Sequence, residues 1–583
     1  MFDRKAIIKS GNTIVSKKLT RGCPQGSALG PGLWNINYDE LLTLSTESKV
    51  AIKGCCDDTK ILIHGSDLKT IERKANKVLK DVYDWGQRVK LEFNATKTTA
   101  LLITKKKDKN LNIKMNGIAI ELKDSVKYLG VILDEKLNYN KHIQYIKNKT
   151  TEKLSKMPLM TRNTWGLRYD ALKTIYKAAF EPSILYCCSV WAKSLTQQNI
   201  KKLKSIQRLF AIKIIRAYRT ISYESAITIA GLTPIDLRIK ENNLLNLIKH
   251  EKTGQVLGLM CDHMERKVDV RLRPHPSLAP RIVFIEGQHR PTDYDFEIFT
   301  DGSKTYTSVG ASYVAFSHGL EQSYGKYRVG TLCSVFQTEL IAIQKAIQWL
   351  KAFFQINTQN EKKRKVLILA DSQSAVKAIK QFQNPHPLVF DIKSLVKSSE
   401  DLFEVHIKWI KGHSGIEGNE KADELAKMAA DMDAKESVYN SFPLSFAKRH
   451  FKSVISKEWE QCWQSTTKAS QTKQFFPEIK DRNQLDSLKP NYITTQYLSG
   501  HGNFRSYLKR FGHSETDLCD CGDNIQTPSH LIYDCILYSE ERHQLNNAMH
   551  RSGHSLVPPK LLKEETLFKE FLIFIKNINN CNY

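Results

Sequence analysis

Acidic residues are scarce in this chain: 61 Asp and Glu stand against 88 Lys and Arg, giving a formal charge of +27 and a pI near 9.4. That deficit favours a polyanionic partner, nucleic acid being the commonest, although a solvated basic surface gives the same balance. Long apolar runs are missing as well. The most apolar window, from Ile184 to Ala192, is far too short to span a bilayer. The opening Met1-Phe2-Asp3-Arg4-Lys5 is too charged for a signal peptide. No short-period repeat occurs, and the 12 cysteines are scattered without the framework of a small secreted domain. These absences argue against membrane-spanning, secreted and solenoid classes, and lead us to expect reduced thiols in cytosol or nucleus. What is present is a hydrophobic fraction of 41% over 583 residues. That is enough for real cores and about four domains.

The rest of the chain is organised around Phe296-Glu297-Ile298-Phe299-Thr300-Asp301-Gly302-Ser303-Lys304, which reads as a strand ending in a carboxylate at a tight turn. Strands are predicted over Phe296 to Thr300, Val309 to Phe316 and Gln322 to Val329. A helix from Val335 to Phe354 puts Phe336, Leu340, Ile343, Ile347 and Leu350 on one stripe, with Glu339 at the border of the buried face. The apolar run Val366 to Ala370 reads as a central strand covered on both sides, ending in Asp371, with Ser372 or Ser374 capping the next helix. Val405, Ile407 and Trp409 alternate before Gly412-His413-Ser414-Gly415, and the helix that follows carries Asp423 beside Ala422, Leu425, Ala426 and Ala429. Any one of these acids alone is unremarkable. Together, Asp301, Glu339, Asp371 and Asp423 gather at the carboxyl edge of a sheet, where ligands bind. Four clustered acids repel one another unless divalent cations neutralise them, and Mg²⁺ takes oxygen ligands of this kind.

The flanks are less specific. Arg21 to Pro31 is dense in turn formers, and Cys55-Cys56-Asp57-Asp58-Thr59 before Ile61-Leu62-Ile63 reads as a hairpin with two acids at its tip. Between Lys141 and Lys240 the pattern is helical. Ile200, Leu203, Ile206, Phe210 and Ile214 form a stripe, with Lys201, Lys202, Lys204, Arg208 and Lys213 off it. That suits a bundle helix and a helix laid along a nucleic-acid backbone equally. Pro274, Pro276, Pro280 and Pro291 mark a tether. Lys362-Lys363-Arg364-Lys365 reads as phosphate-contacting or as a solvated loop. Near the end, Cys519-x-Cys521, His530 and Cys535 offer three thiolates and one imidazole in a short span, a set that tetrahedral zinc accepts, unligated thiols being the other reading. His501 and His513 compete for the imidazole role. Aromatics interleaved with Arg and Lys over Gly500 to Gly512 suit base stacking and helix packing alike.

Four motifs in order, Arg21 to Pro31, Cys55 to Thr59, Leu91-Glu92-Phe93-Asn94-Ala95-Thr96-Lys97-Thr98 and Lys127-Tyr128-Leu129-Gly130-Val131, resemble the second half of the reverse transcriptase palm of non-LTR, LINE-like retrotransposons. The resemblance implies that Asp57 and Asp58 are polymerase carboxylates, that Gln25 and Gly26 contact template or nucleotide, and that Lys97 is the basic residue of the following motif. Cys55-Cys56 stands where the family usually has an aromatic residue and Ala. The family's first catalytic Asp lies well upstream of the loop Arg21-Gly22-Cys23-Pro24-Gln25-Gly26, which only 20 residues precede here. The chain by itself is therefore expected not to polymerise DNA. Phe180 to Tyr186 and Gly231 to Pro234 look like the helical region after the palm.

Thr300-Asp301-Gly302-Ser303, Gln337-Thr338-Glu339-Leu340, Ala370-Asp371-Ser372 and Gly412 to Asp423 resemble ribonuclease H in the form attached to such polyproteins. By that resemblance Asp301, Glu339, Asp371 and Asp423 hold two Mg²⁺ ions, His413 assists proton transfer or product release, and the substrate is the RNA strand of an RNA–DNA hybrid. The tail resembles that of jockey-type polyproteins.

The expectation is an α/β and α+β multidomain chain: a partial reverse transcriptase palm (1–139), a helical thumb or connection (140–270), a Pro-rich linker (271–293), a ribonuclease H domain with a mixed five-stranded sheet (294–432), and a C-terminal helical domain with a CCHC zinc-finger-like motif (433–583). It would act as a ribonuclease inside a truncated retrotransposon polyprotein, with nucleic acid and upstream polyprotein segments as partners, in nucleus or cytoplasm and without membrane. The alternatives are a catalytically silent nucleic-acid-binding remnant and, fitting less well, a transposase or integrase.

Overall fold

The computed structural model describes all residues except 1–3, 20–21, 23–25, 45, 107–108, 158–160, 162–164, 288–292, 357–362, 433–435, 486–487 and 582–583. The chain divides into two units, Met1–Leu167 with Thr174–Phe210, and Arg168–Lys173 with Ala211–Tyr583. No helix among the described residues is long and apolar enough to cross a membrane.

In the first unit the helix Leu68–Val89 is the largest element. Asp67 caps it by accepting the Thr70 N–H at 2.8 Å, and it ends at Lys90 with a left-handed φ of 60°. Ala75, Val78, Leu79, Val82 and Trp85 recur at helical spacing and are buried; Val78, Val82 and Trp85 pack with Tyr38, Leu41 and Ile52. The predicted hairpin is the antiparallel pair Val50–Cys55 and Asp58–Ile63, turning through Cys56 at φ 56°. A second hairpin pairs Ser125–Tyr128 with Val131–Asp134 through Leu129 (φ 45°) and Gly130 (φ 85°). Positive φ at both loop positions is the geometry that matches strand twist in a two-residue turn. The Tyr186 hydroxyl donates to Leu129 O at 2.9 Å, so two separately noted motifs meet. Of the helical stripe on Gln197–Ile215, Leu203, Ile206 and Phe210 in this unit are buried, as is Ile214 in the second.

The second unit is built on a six-stranded mixed sheet. Its strands are β1 (Ile282–Ile285), β2 (Phe296–Lys304), β3 (Val309–Ser317), β4 (Leu320–Arg328), β5 (Arg364–Ala370) and β6 (Phe403–Trp409), in spatial order β1-β6-β5-β2-β3-β4. The neighbours from β1 to β2 run parallel, and β2-β3-β4 is an antiparallel meander. Helices α1 (Val335–Ile356), α2 (Gln373–Lys380) and α3 (Pro387–Lys397) cover one face, where Phe296, Ile298, Val366 and Ile368 meet Leu340, Ile343, Ile379 and Ile392. Helix α4 (Glu417–Asp431) covers the other, setting Ala422 and Leu425 on Phe299, Val314, Leu367 and Leu369. Both faces of β5 are thus apolar, which is why its pattern is a continuous hydrophobic run.

Two expectations need correction. The sheet has six strands rather than five, because Ile282-Val283-Phe284-Ile285, read as part of a tether, pairs in parallel with β6 and closes that edge. And β2 does not stop at Asp301: Gly302, Ser303 and Lys304 continue to pair with Ala311, Gly310 and Val309. Of the four prolines that suggested a linker, Pro291 lies outside the described residues. In the basic run Lys362 is also outside, while Arg364 pairs with Asp295 at 2.7 Å and fastens the start of β5 beside β2.

Close backbone approach fixes where α4 sits. A Cβ on Gly310 would stand 2.2 Å from Ala426 O and 2.5 Å from Ala430 N. The Ser312 hydroxyl donates to Ala422 O at 2.6 Å. Gly310→Ala is therefore expected to lower stability by about 1–3 kcal/mol, read by urea unfolding, because backbone must move to admit the methyl. Gly32→Ala, whose methyl meets open space, should leave stability unchanged or slightly higher.

Candidate active site and metal centres

The second half of β2, the carboxyl end of β5 and the first two turns of α1 and α4 converge on one spot. Gly302 makes this possible: a Cβ there would lie 2.4 Å from Thr338 Oγ1 and 2.8 Å from Glu339 N, so only glycine lets α1 close onto β2. Ser334 and Gln337 start α1 by bonding reciprocally, Ser334 N–H to Gln337 Oε1 at 2.8 Å and Gln337 N–H to Ser334 Oγ at 3.3 Å. Glu339 follows one half-turn later.

Ligand atoms of Asp301, Glu339 and Asp371 lie within 4.8 Å of one another. Asp301 and Glu339 are buried, 6% and 4% exposed. Burial, then the neighbouring charges of Asp371 and Asp423, push Asp301 from its ordinary 3.8 up to about 7. Glu339 is driven well upward by burial and by Asp301 and Asp371, and Asp371 upward by burial against an Asn419 hydrogen bond and the His413 charge. Oε2 of Glu339 is buried without a hydrogen-bond partner. A compact, proton-hungry acid cluster with an unpartnered oxygen is the donor set a hard divalent cation fits.

The fourth acid behaves differently. Asp423 stands near enough to hydrogen-bond Asp301, but its Oδ2 is paired with Lys427 Nζ at 2.6 Å, one turn along α4, and it is not in the three-acid group. His413 is exposed, at φ 51°, on the loop between β6 and α4. Two residues given no role in the sequence reading support Asp371. The Asn419 side chain hydrogen-bonds it, and the Trp409 indole N–H donates to its backbone oxygen at 2.8 Å. Gly412 presses equally close, its absent Cβ 2.9 Å from Asp371 Oδ2. Trp409 was legible only as an alternating strand residue, and Asn419 only as part of a motif.

A second cluster lies near the C-terminus. Ligand atoms of Cys519, Cys521, His530 and Cys535 also fall within 4.8 Å of one another, with Cys519 Sγ–Cys535 Sγ at 3.6 Å and Cys521 Sγ–His530 Nε2 at 3.3 Å. A tetrahedron with zinc–ligand bonds of about 2.3 Å to S and about 2.0 Å to N gives separations near these, roughly 3.8 and 3.5 Å. Gly522, at φ +80°, turns the loop, and Thr527 caps the helix Pro528–Tyr533 that carries His530. Of the competitors, His501 faces Thr220 Oγ1 at 2.9 Å, and neither it nor His513 joins the group.

The polymerase-type residues are more open. Asp57 sits in the hairpin turn and Asp58 begins the return strand, both exposed, and no third metal-ligating side chain gathers with them among the described residues. Gly26 has φ +79°, Lys97 is exposed beside Asn94, and Gln25 lies outside the described residues.

Residues 293–431 match the RNase H family, and residues 3–133 match the reverse transcriptase (RNA-dependent DNA polymerase) family. The chain is 31% identical over 249 residues to a Pol polyprotein of the type-1 retrotransposable element R1 of Bradysia coprophila, covering 42% of this chain and 25% of that protein. It is 27% identical over 270 residues to an R1 Pol polyprotein of Nasonia vitripennis, covering 43% and 65%. With the RNA-directed DNA polymerase of the mobile element jockey of Drosophila melanogaster it shares 24% over 279 residues, covering 46% and 30%. The chain thus spans less than two thirds of these relatives. It carries reverse transcriptase and RNase H domains, and its homologues are R1 and jockey non-LTR retrotransposon Pol polyproteins.

Because the acid cluster holds protons more tightly when folded than when unfolded, the metal-free fold gains protons on folding between about pH 4 and about pH 7 and loses stability as pH rises through that window. In chelator, the melting midpoint of this domain should fall between about pH 4 and about pH 7, Mg²⁺ should flatten the fall, and Asp301→Asn should raise the metal-free midpoint at the upper end. Calorimetry across pH checks all three.

Proposed function

We propose that the segment 294–432 of this retrotransposon-type chain is a ribonuclease H that hydrolyses the RNA strand of RNA–DNA hybrids, with a pair of Mg²⁺ ions held by Asp301, Glu339, Asp371 and Asp423. The observation that carries this reading is the three-acid cluster, two of its acids buried and one Glu339 oxygen without a partner, inside an RNase H domain. When bound, the two cations supply a water of lowered pKa and charge to stabilise the departing 3′-oxygen.

The chain's own residues do the rest. Asp301, Glu339 and Asp371, whose hold on a proton burial strengthens, would supply the ligand oxygens. Asn419 and Trp409 hold Asp371 from side chain and backbone, so its oxygens stay aimed at the cluster. Lys427 neutralises Asp423 until it is recruited. His413, exposed beside Asp371, takes or returns a proton at an imidazole nitrogen. Selection of the hybrid rests on 2′-hydroxyls and duplex shape.

In the same reading Cys519, Cys521, His530 and Cys535 hold a structural zinc, the segments 1–139, 140–270, 294–432 and 433–583 are the modules, and 271–293 is tied to the third of them through Ile282–Ile285 rather than standing apart. Upstream segments of the same polyprotein are the expected partners, and the compartment is nucleus or cytoplasm. The reading gives the chain alone no polymerase activity, Asp57 and Asp58 having no third metal-ligating side chain beside them among the described residues.

With a labelled hybrid and Mg²⁺, the parent chain should cut RNA, and Asp371→Asn should abolish cutting while binding stays largely intact; equal cutting by both would remove the assignment. Elemental analysis of protein purified without chelator should find about one zinc per chain, lost in Cys521→Ser; a parent chain without zinc would remove the second site.

A further inference from the structure

Glu265 lies outside the segment that matches RNase H, yet it is built into the root of α1. Its side chain is 8% exposed and accepts from three side chains: Gln337 Nε2 at 2.7 Å, the Tyr439 hydroxyl at 2.7 Å and His386 Nε2 at 2.9 Å. Gln337 is fully buried, and its remaining capacity is spent on Ser334 and on Ser441 O, at 2.9 Å from Nε2. The main chain braces the same place. Glu265 N–H donates to Phe442 O at 2.9 Å, Phe442 N–H to His263 O at 2.8 Å, and Val268 N–H to Pro385 O at 2.9 Å. Beneath it Met264 and Phe442 share an apolar cluster with Ile248, Ala447 and Phe451. Segments before and after the matched domain therefore clasp the first turn of α1.

Glu339 opens the next turn, two residues beyond Gln337. The Gly302 N–H favours the Glu339 carboxylate, whose Oε2 is buried without a hydrogen-bond partner. With little else directing its carboxylate, Glu339 takes its position from the backbone of the turn. A buried carboxylate gathering three donors is strongly directional, and its loss leaves those donors unpaired.

We propose that Glu265 is a positioning residue for the ribonuclease centre, acting from outside the matched domain through Gln337 on the placement of Glu339. This rests on the ribonuclease reading above. The test uses the full chain, with Glu265→Gln, which keeps volume but removes charge, and Tyr439→Phe, which removes a single donor. Glu265→Gln should lower kcat about tenfold with KM for the hybrid within about twofold, and raise the Mg²⁺ concentration for half-maximal rate several-fold. Tyr439→Phe should move the same quantities less and in the same direction. A merely structural role would lower the melting midpoint and leave the Mg²⁺ dependence of the folded fraction at the parent's value, and that result overturns the proposal. If Glu265→Gln does not fold, Tyr439→Phe decides alone, and parental Mg²⁺ dependence in it is the overturning result. Should the parent fail to cut hybrid, the ribonuclease reading falls separately. Mn²⁺ affinity measured by paramagnetic resonance then decides, weaker binding in the variants supporting the positioning role and equal affinities overturning it.

Discussion

Three carboxyl groups within 4.8 Å, two of them almost out of solvent, repel one another, and the rest of the second unit can be understood as the framework that holds them there. The framework works by backbone contact rather than by neutralising side chains. Gly302 lets α1 meet β2, Gly310 lets α4 meet β3, Gly418 faces the Phe299 ring, and Gly412 faces Asp371. At each of these positions a methyl group would stand closer than 3.0 Å to its neighbour, so the acids are forced together by elements that cannot relax apart without losing the apolar contacts on both faces of the sheet.

Much of this was legible in the residues. The run Val366 to Ala370 is a buried strand, the stripe from Phe336 to Leu350 is a helix, and the four acids belong to the elements on which they were read. The misreadings have local causes. Asp301-Gly302 looks like a turn because that dipeptide favours one, but pairing with β3 carries the strand three residues further. Ile282 to Ile285 is too short for periodicity to count against the nearby prolines, and only the open edge of β6 explains why it is a strand. Asp423 and Lys427 are visibly four apart on a helix, yet nothing in the order of residues says that the lysine reaches its acid in a fold that carries no ion.

The two metal-type clusters solve opposite problems. The acid cluster is imposed by a large hydrophobic frame. The Cys/His cluster brings its own neighbourhood together with a few backbone bonds, Cys519 N–H to Asn524 O and Cys535 N–H to His530 O among them. Burial lifts the Cys535 thiol to about 12, whereas backbone N–H groups favour the thiolate of Cys521, so the four donors are unequal before any ion arrives.

The strand Ile282–Ile285 has one more consequence. A segment hooked at one end by Val268 to Pro385 and zipped at the other along β6 is anchored at both ends, with the short helical turns Val270–Leu272 and Pro276–Leu278 between the anchors. Because Ile-Val-Phe-Ile is apolar at every position, either pleat offers the sheet a greasy side, and the anchors rather than the side-chain pattern select the register.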